Sequence, residues 1–232
     1  MRLILVRHGQ TRSNLGRLLD TGRPGADLTD VGRGQAAALI EVLAAERIEA
    51  IYVSTLARTQ QTAAPLSAAL GLDVQIREGV REVSAGQLEM LGDDASVATY
   101  LDTVFAWSDG DLGLRMPGAE SGAEVFARFD DVVTEVAELG VAAAVIVSHG
   151  AVIRSWTASR VGNVTTEYVA RNPLANTGVV VVDGSPRDGW RALTWDGDVL
   201  ADVVVAAAPA ADRPMPHAPT RPDDLRLTGD EV

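Results

Sequence analysis

Short apolar segments alternate along the chain with longer segments in which apolar residues recur every three or four positions. Five of the short segments have the length and apolar character expected of strands in a buried sheet. They are Leu3–Val6, Ala50–Val53, Val74–Ile76, Ala142–Val147 and Val179–Val182. A sixth segment, Trp190–Trp195, is expected to pair with the fifth.

The longer segments between them predict amphipathic helices. In the first, from about Gly34 to Glu46, four apolar residues have the i, i+3, i+4, i+7 spacing of one helix face, and Thr29 is the candidate N-cap. These four are Ala36, Leu39, Ile40 and Leu43. Further helices are predicted over residues 56–70, ended by Gly71, over 93–108, and around 125–136, ended near Gly140.

Strands separated by helices predict an α/β fold. The expected architecture is a three-layer sandwich, in which helices cover both faces of a mostly parallel central sheet. We assign residues 1–205 to this domain and residues 206–232 to a Pro-rich acidic tail, which contains five of the ten prolines. The tail is expected to be disordered or extended, with His217 at the surface; the alternative is that the apolar segment Val203–Ala208 folds back onto the domain.

Charge and composition exclude several classes of function. The 232 residues include 20 basic and 32 acidic ones, a net charge of −12, and every basic residue is Arg. Such a chain is a poor binder of nucleic acid or an anionic membrane, although a few converging Arg side chains can still bind a small anion. The absence of Cys excludes disulfides, thiolate metal sites and a Cys nucleophile. With no signal peptide and no membrane span in the sequence, a cytoplasmic location is expected.

Polar residues follow three of the predicted strands directly. Leu3–Val6 leads into Arg7-His8-Gly9, and the strand that ends at Val147 leads into Ser148-His149-Gly150. Ala50–Val53 leads into a segment that contains Arg58. Ligands bind outside the carboxyl ends of strands in open parallel sheets, so these exits would bring two His and two Arg side chains together if the strands are neighbours.

This set of residues suits phosphoryl transfer. Two Arg forks can donate to phosphate oxygens, and a neutral imidazole can attack phosphorus, with a second His donating to a phosphate oxygen. Glu82, in a Gly-containing loop, is the candidate acid that protonates the departing oxygen. Charge neutralisation by Arg and His makes a metal ion unnecessary, and we expect no cofactor.

Each of these residues also has a simpler interpretation when taken alone. A His at a strand end is more often structural, an Arg on a helix is more often exposed, and Glu82 on a loop is more often solvated. Gln10, Thr11 and Asn14 could simply begin a helix. It is the joint pattern that favours a catalytic site.

The arrangement resembles the histidine phosphatase superfamily, which includes the cofactor-dependent phosphoglycerate mutases. The resemblance runs in order through most of the chain, from about residue 1 to residue 183. The matching segments are 5–14, 27–36, 54–63, Arg81-Glu82, Gly118-Ala119-Glu120-Ser121 and Val147-Ser148-His149-Gly150.

The resemblance implies a role for each matching residue. His8 would be the nucleophile that becomes phosphorylated, while Arg7, Arg58 and His149 complete the phosphate pocket. Glu82 would protonate the leaving group and then activate water. The resemblance further implies phosphate or substrate contacts for Gln10, Thr11, Asn14 and Gly150.

Three functions remain open at this point. The first is a metal-independent phosphomonoesterase acting on a small phosphorylated metabolite. The second is a phosphoglycerate mutase, which the absence of the lysine typical of that branch disfavours. The third is a weakly active module that binds a phosphorylated ligand. A homodimer is also open, formed if Val179–Val182 lies at the sheet edge and pairs with a second subunit.

Overall fold

A seven-stranded sheet organises the part of the protein that the computed structural model describes, residues 1–200. Its strands are β1 (Arg2–Arg7), β2 (Ile48–Val53), β3 (Val74–Ile76), β4 (Ala143–Ser148), β5 (Val179–Ser185), β6 (Gly189–Trp195) and β7 (Asp198–Val199). Their order across the sheet is β3-β2-β4-β1-β5-β6-β7. The first four of these are parallel, and β5, β6 and β7 continue the sheet as antiparallel neighbours.

Seven α-helices connect and cover the strands within residues 1–200. They are α1 (Arg12–Leu15), α2 (Asp30–Val42), α3 (Ala57–Leu70), α4 (Asp94–Ser108), α5 (Gly122–Glu138), α6 (Gly150–Arg160) and α7 (Thr166–Arg171). Local sequence explains several of their ends. The Thr29 side chain accepts a hydrogen bond from the Gly32 amide at the start of α2, and Gly71 ends α3 in the left-handed conformation, with a φ of 66°.

Helices cover both faces of the sheet, as the sequence predicts. Alternate residues of β1 point to opposite faces, so that Leu3 and Leu5 belong to one core and Ile4 and Val6 to the other. Helices α2 and α3 close the core that contains Ile4. Helices α4, α5, α6 and α7 contribute to the larger core on the other face. The predicted α/β three-layer sandwich is confirmed.

The predicted elements are all present; β3 has the predicted ends, and most of the others have shifted ends. Helix α2 begins at Asp30, four residues before the predicted start, and ends at Val42. Ile40 was expected on the buried face of α2 but is 41% exposed. Of the four apolar residues predicted for this face, only Ala36, Leu39 and Leu43 are buried in the core. Trp190–Trp195 pairs with β5 as expected. The sequence did not indicate α6, which is buried on most of its surface and therefore lacks a polar stripe.

Within the described residues, the prediction of a free sheet edge that could pair with a second subunit is wrong. Val179–Val182 lies inside the sheet, where β5 pairs with β1 on one side and β6 on the other, so its backbone is not free to pair with another chain. The domain boundary at residue 205, Val203–Ala208, the tail and His217 lie outside the described residues. No helix within residues 1–200 is long and apolar enough to cross a membrane.

Strand order explains how distant sequence segments meet. Strand β4 lies between β1 and β2, with Arg7 paired to Ser148 and Val53 paired to Val147. The residues just after these three strands therefore meet at the carboxyl edge of the sheet.

Candidate active site

His8 follows β1 directly and is almost completely buried, at 4% exposure. Its Nδ1 lies 2.8 Å from the carbonyl oxygen of Gly9. A carbonyl can only accept a hydrogen bond, so Nδ1 carries the proton and Nε2 keeps its lone pair. Burial lowers the pKa of His8 well below its usual value, and the charges of Arg58 and Arg7 lower it further. The imidazole is therefore neutral at pH 7 and has a free nucleophilic nitrogen.

The two glycines that follow the histidines leave room for protein atoms. A Cβ on Gly9 would lie 2.7 Å from the carbonyl oxygen of Gly32, so Gly9 permits the close approach of α2 to the end of β1. A Cβ on Gly150 would lie 3.2 Å from Nε of Arg7. One glycine therefore permits the close approach of a helix, and the other that of a guanidinium group.

Arg7 is the last residue of β1, and one backbone carbonyl group orients its guanidinium group. Its Nη1 donates to the carbonyl oxygen of Leu174 at 2.6 Å. Its Nε is buried and has no hydrogen-bond partner among the described residues. Burial lowers the pKa of Arg7 from its ordinary value, but a guanidinium group remains charged at neutral pH.

Arg58, in the first turn of α3, is anchored by the loop that contains Asp20. Its Nη2 donates to the Asp20 carbonyl at 2.8 Å, and Nη1 lies 3.7 Å from a carboxylate oxygen of Asp20. Both Nε and Nη1 are buried without a hydrogen-bond partner within residues 1–200. Gly25 packs against Nη1, and at a φ of +73° a side chain there would be strained and would overlap the guanidinium group.

His149 follows β4 and is fully buried. Its ring centroid lies 5.2 Å from that of His8. Nε2 is 2.7 Å from Oγ of Ser54, which follows β2, while Nδ1 is buried without a partner among the described residues. Burial lowers the pKa of His149 well below its usual value, with further contributions from Arg58 and His8, so this ring is also neutral at pH 7.

Glu82 connects its loop to the N-terminus of α6. One carboxylate oxygen accepts hydrogen bonds from the amides of Val83 and Val152, at 3.0 and 2.9 Å. The other accepts from the amide of Ala151 at 3.1 Å. The first amides of a helix have no intrahelical acceptor and favour a negative group, which explains why the carboxylate is held here.

Arg128 on α5 fixes the backbone that carries Glu82. It donates to the carbonyl oxygens of Gly79, Arg81 and Glu82 at 2.7, 2.9 and 3.2 Å. It also donates to both carboxylate oxygens of Glu120, at 2.8 and 3.1 Å. The Glu82 loop is thus tied to α5 on one side and to α6 on the other.

These side chains surround a cavity of about 180 Å³. Seven of the nine residues proposed from the sequence line it, namely Arg7, His8, Thr11, Asn14, Arg58, Glu82 and Gly150. His149 does not line the cavity but lies beside His8. Gln10 lies outside it, where its side-chain oxygen accepts a hydrogen bond from Thr29 at 2.9 Å. Thr11 and Asn14 form the capping box of α1, which orders the backbone that follows His8.

Comparison with known proteins shows the family of the chain. The family model of the histidine phosphatase superfamily (branch 1) matches residues 3–197. The chain belongs to the histidine phosphatase superfamily.

Mycobacterial proteins are among those to which the chain is similar. The chain is 36% identical over 208 residues to the PE-PGRS family protein PE_PGRS11 of Mycobacterium tuberculosis, covering 83% of this chain but only 36% of that relative. It is 31% identical over 213 residues to a glucosyl-3-phosphoglycerate phosphatase of Mycolicibacterium vanbaalenii, covering 84% of this chain and 94% of the relative. A solved mycobacterial glucosyl-3-phosphoglycerate phosphatase in complex with VO3 superposes with a TM-score of 0.70 at 27% identity, covering 85% of this chain and 99% of that one.

The histidine phosphatase site contains residues that the sequence patterns did not single out as functional. Asp20 and Thr21 line the cavity, as do Tyr100 and Arg154. Tyr100 lies on the buried face of α4 with Val104 and Trp107, a position that indicates a core residue. Arg154 lies on the unpredicted α6, one turn after Gly150. No cluster of three or more His, Asp and Glu residues within residues 1–200 is arranged to hold a metal ion.

Proposed function

We propose that this histidine phosphatase is a metal-independent phosphomonoesterase that works through a phosphohistidine on His8. The observation that carries the proposal is the state of His8. It is a neutral imidazole with a free Nε2, and it lines a cavity together with the guanidinium groups of Arg7 and Arg58. A nucleophile beside two phosphate-binding cations is the arrangement that phosphoryl transfer requires.

The two arginines would bind the phosphate group of the substrate. Nε of Arg7 and both Nε and Nη1 of Arg58 are buried without a hydrogen-bond partner among the described residues. Buried charged donors are costly when unpaired, so a phosphate dianion would supply the acceptors that the protein leaves open. His149 would donate a further hydrogen bond from its neutral ring.

In the first step, Nε2 of His8 attacks phosphorus in line with the departing oxygen. The N–P bond forms as the P–O bond to the substrate alcohol breaks, and protonated Glu82 gives its proton to the alcohol oxygen. Each carboxylate oxygen has about two acceptor sites. The Glu82 oxygen that accepts only the Ala151 amide therefore keeps a position for this proton.

In the second step, water cleaves the phosphohistidine. The Glu82 carboxylate accepts a proton from water as the water oxygen attacks phosphorus, and the N–P bond breaks. Inorganic phosphate leaves, His8 returns to the neutral ring, and Glu82 is protonated again. No metal ion takes part in either step.

The relatives support hydrolysis and indicate the kind of substrate. The 31% identical relative and the superposed structure are both named as phosphatases of glucosyl-3-phosphoglycerate, a small phosphorylated metabolite. The mutase branch of the family typically uses a lysine against its substrate, and this chain contains none. We therefore favour release of phosphate to water over transfer to a second hydroxyl group.

The direct test is phosphate release from a panel of small phosphomonoesters in the presence of EDTA. Wild-type protein is expected to release phosphate, whereas His8→Ala is expected to be inactive but folded. The third histidine gives a matched control, because His217→Ala should retain activity. Release by His8→Ala at the wild-type rate would refute the mechanism, and exchange of phosphate between substrate hydroxyls without release would indicate a mutase.

A further inference from the structure

Glu89 is a half-buried carboxylate near the cavity that the steps above do not use. It follows the short 3-10 helix Gly86–Leu88 and does not itself line the cavity. Both of its carboxylate oxygens are turned toward residues 20–25, which we call the Asp20 loop.

Three donors of the Asp20 loop bind Glu89. Oε1 accepts hydrogen bonds from the amides of Thr21 and Gly22, at 2.8 and 2.9 Å. Oε2 accepts from the hydroxyl group of Thr21. The same hydroxyl oxygen accepts from the amide of Ala85 at 2.9 Å, and Thr21 is only 7% exposed. Hydrogen bonds to an ionised acceptor are stronger than neutral ones, so Glu89 holds the backbone of this loop firmly.

The Asp20 loop in turn determines where the guanidinium group of Arg58 lies. The carbonyl oxygen of Asp20 accepts from Nη2 of Arg58 at 2.8 Å, and Gly25 packs against Nη1. Within residues 1–200, Nε and Nη1 of Arg58 have no hydrogen-bond partner. The orientation of this group therefore depends on the loop that Glu89 holds.

The charge and the position of Glu89 affect an anion on Arg58 in opposite directions. Burial lowers the pKa of Arg58 from its ordinary value, and the carboxylates of Asp20, Glu82 and Glu89 oppose this shift. Glu89 is therefore close enough for its negative charge to repel a phosphate bound to Arg58. Removal of that charge alone would strengthen phosphate binding, whereas loss of the loop position would weaken it.

We propose that Glu89 is a positioning residue that keeps the Arg58 guanidinium group in the orientation that binds phosphate, by holding the Asp20 loop. This inference rests on the proposed function, because it takes Arg58 as a contact of the substrate phosphate. Glu89 would act only through the backbone of Thr21, Gly22 and Asp20. Its removal should therefore weaken the phosphate site although its side chain contacts no reacting atom.

Calorimetric binding of inorganic phosphate to the full-length protein tests this role. Glu89→Ala should raise Kd about tenfold, the effect of one misplaced charge-assisted hydrogen bond. Glu89→Asp keeps the charge but is one methylene group shorter, so it should raise Kd less; it also serves as the second variant if Glu89→Ala does not fold. A smaller folded fraction lowers the number of sites measured and leaves Kd unchanged, so the readout is independent of stability.

The same substitution in an Arg58→Gln background shows whether Glu89 acts through Arg58. Arg58→Gln alone should raise Kd about ten- to hundredfold, and adding Glu89→Ala should then change Kd by no more than about twofold. Glu124→Ala is the matched control. The Glu124 carboxylate likewise accepts from an amide and a hydroxyl group, those of Ser121, but this pair caps α5, so Kd should stay unchanged in both backgrounds.

The results separate this inference from the proposed function. Unchanged or tighter phosphate binding in Glu89→Ala, or an equal loss in both backgrounds, would overturn the role of Glu89 while the phosphatase mechanism stands. If phosphate binds but no phosphomonoester is hydrolysed, the proposed function fails, and the binding cycle still tests Glu89. If phosphate binds too weakly for calorimetry, the same cycle in kcat/KM per folded molecule replaces it. A protein that neither binds phosphate nor hydrolyses its esters would refute both proposals.

Discussion

Oγ of Ser54 lies 2.7 Å from Nε2 of His149, and this hydrogen bond couples the end of β2 to the end of β4. A neutral imidazole has one N–H group, so the direction of this bond decides the state of Nδ1. When the Ser54 hydroxyl donates to Nε2, Nδ1 carries the proton. This N–H group is the donor that the proposed mechanism assigns to a phosphate oxygen.

Ser54→Ala is therefore expected to lower kcat about five- to tenfold, the effect of losing one hydrogen bond of about 1 kcal/mol. The matched control is Ser148→Ala, which removes another buried hydroxyl from the adjacent strand end. That hydroxyl donates to the Val80 carbonyl and does not contact the His149 ring. Rates per folded molecule, measured with melting temperatures, check the prediction; equal kcat values for the two variants would contradict it.

Gly25 determines the position of Arg58. A methyl group at this residue would overlap Nη1 of Arg58, so Gly25→Ala should displace the guanidinium group and lower kcat/KM about a hundredfold, roughly as deletion of a charged phosphate contact does. Gly71→Ala is the control, since Gly71 also has a positive φ, of +66°, but faces open space. Both variants place alanine at a positive φ and are strained there, but only Gly25→Ala should lose activity per folded molecule.

The buried histidines predict how stability depends on pH. Both His8 and His149 have pKa values well below 6.5 in the folded state, whereas the unfolded chain binds protons near that value. Between these values the unfolded state binds more protons, so the free energy of unfolding falls as the pH is lowered below 6.5. Two such groups give a slope of up to about 2.7 kcal/mol per pH unit.

Urea denaturation at pH 7.5 and pH 5.5 measures this effect. His8→Asn removes one of the two buried histidines. Between pH 7.5 and pH 5.5, its free energy of unfolding should therefore fall less than that of wild-type protein. An identical loss in the two proteins would show that His8 already binds a proton in the folded state near pH 5.5.

Arg128 is expected to position Glu82. Arg128→Lys keeps the charge but cannot bind three carbonyl groups and Glu120 together, so Glu82, the proposed general acid, should move. Hydrolysis of alkyl phosphates, which need the acid, should fall about tenfold more than hydrolysis of p-nitrophenyl phosphate, whose leaving group does not. Arg77→Lys is the control, because it changes another Arg that is bound to α5, through Glu135. It should lower the rate on neither type of substrate. Equal losses on the two substrate types in Arg128→Lys would indicate a structural contribution only.

The sequence predicted the sheet and the edge at which the candidate site residues meet, because their signals are local. Strands such as Leu3–Val6 are short and wholly apolar, and the polar residues follow them immediately. Their meeting point then depends only on strand order, which places β4 between β1 and β2.

The features that the sequence did not predict, or predicted wrongly, depend on tertiary contacts. Arg154 is one turn along α6, a helix buried too completely to show an amphipathic pattern. Gln10 follows the strand exit like His8, yet its side chain reaches the cap of α2. Pairing of Val179–Val182 with β6 was expected, but nothing local indicated that β1 would pair with its other side and leave no free edge.

Detection of a phosphoryl group on His8 is the decisive experiment for the proposed mechanism. Glu82→Gln protein, mixed with p-nitrophenyl phosphate and quenched in alkali, should accumulate one phosphoryl group per chain, because Gln cannot activate the water of the second step. The mechanism predicts that this group is acid-labile, is located on His8 and is absent in His8→Ala. A phosphoryl group on another residue, or steady release of phosphate without any phosphorylated protein, would contradict it.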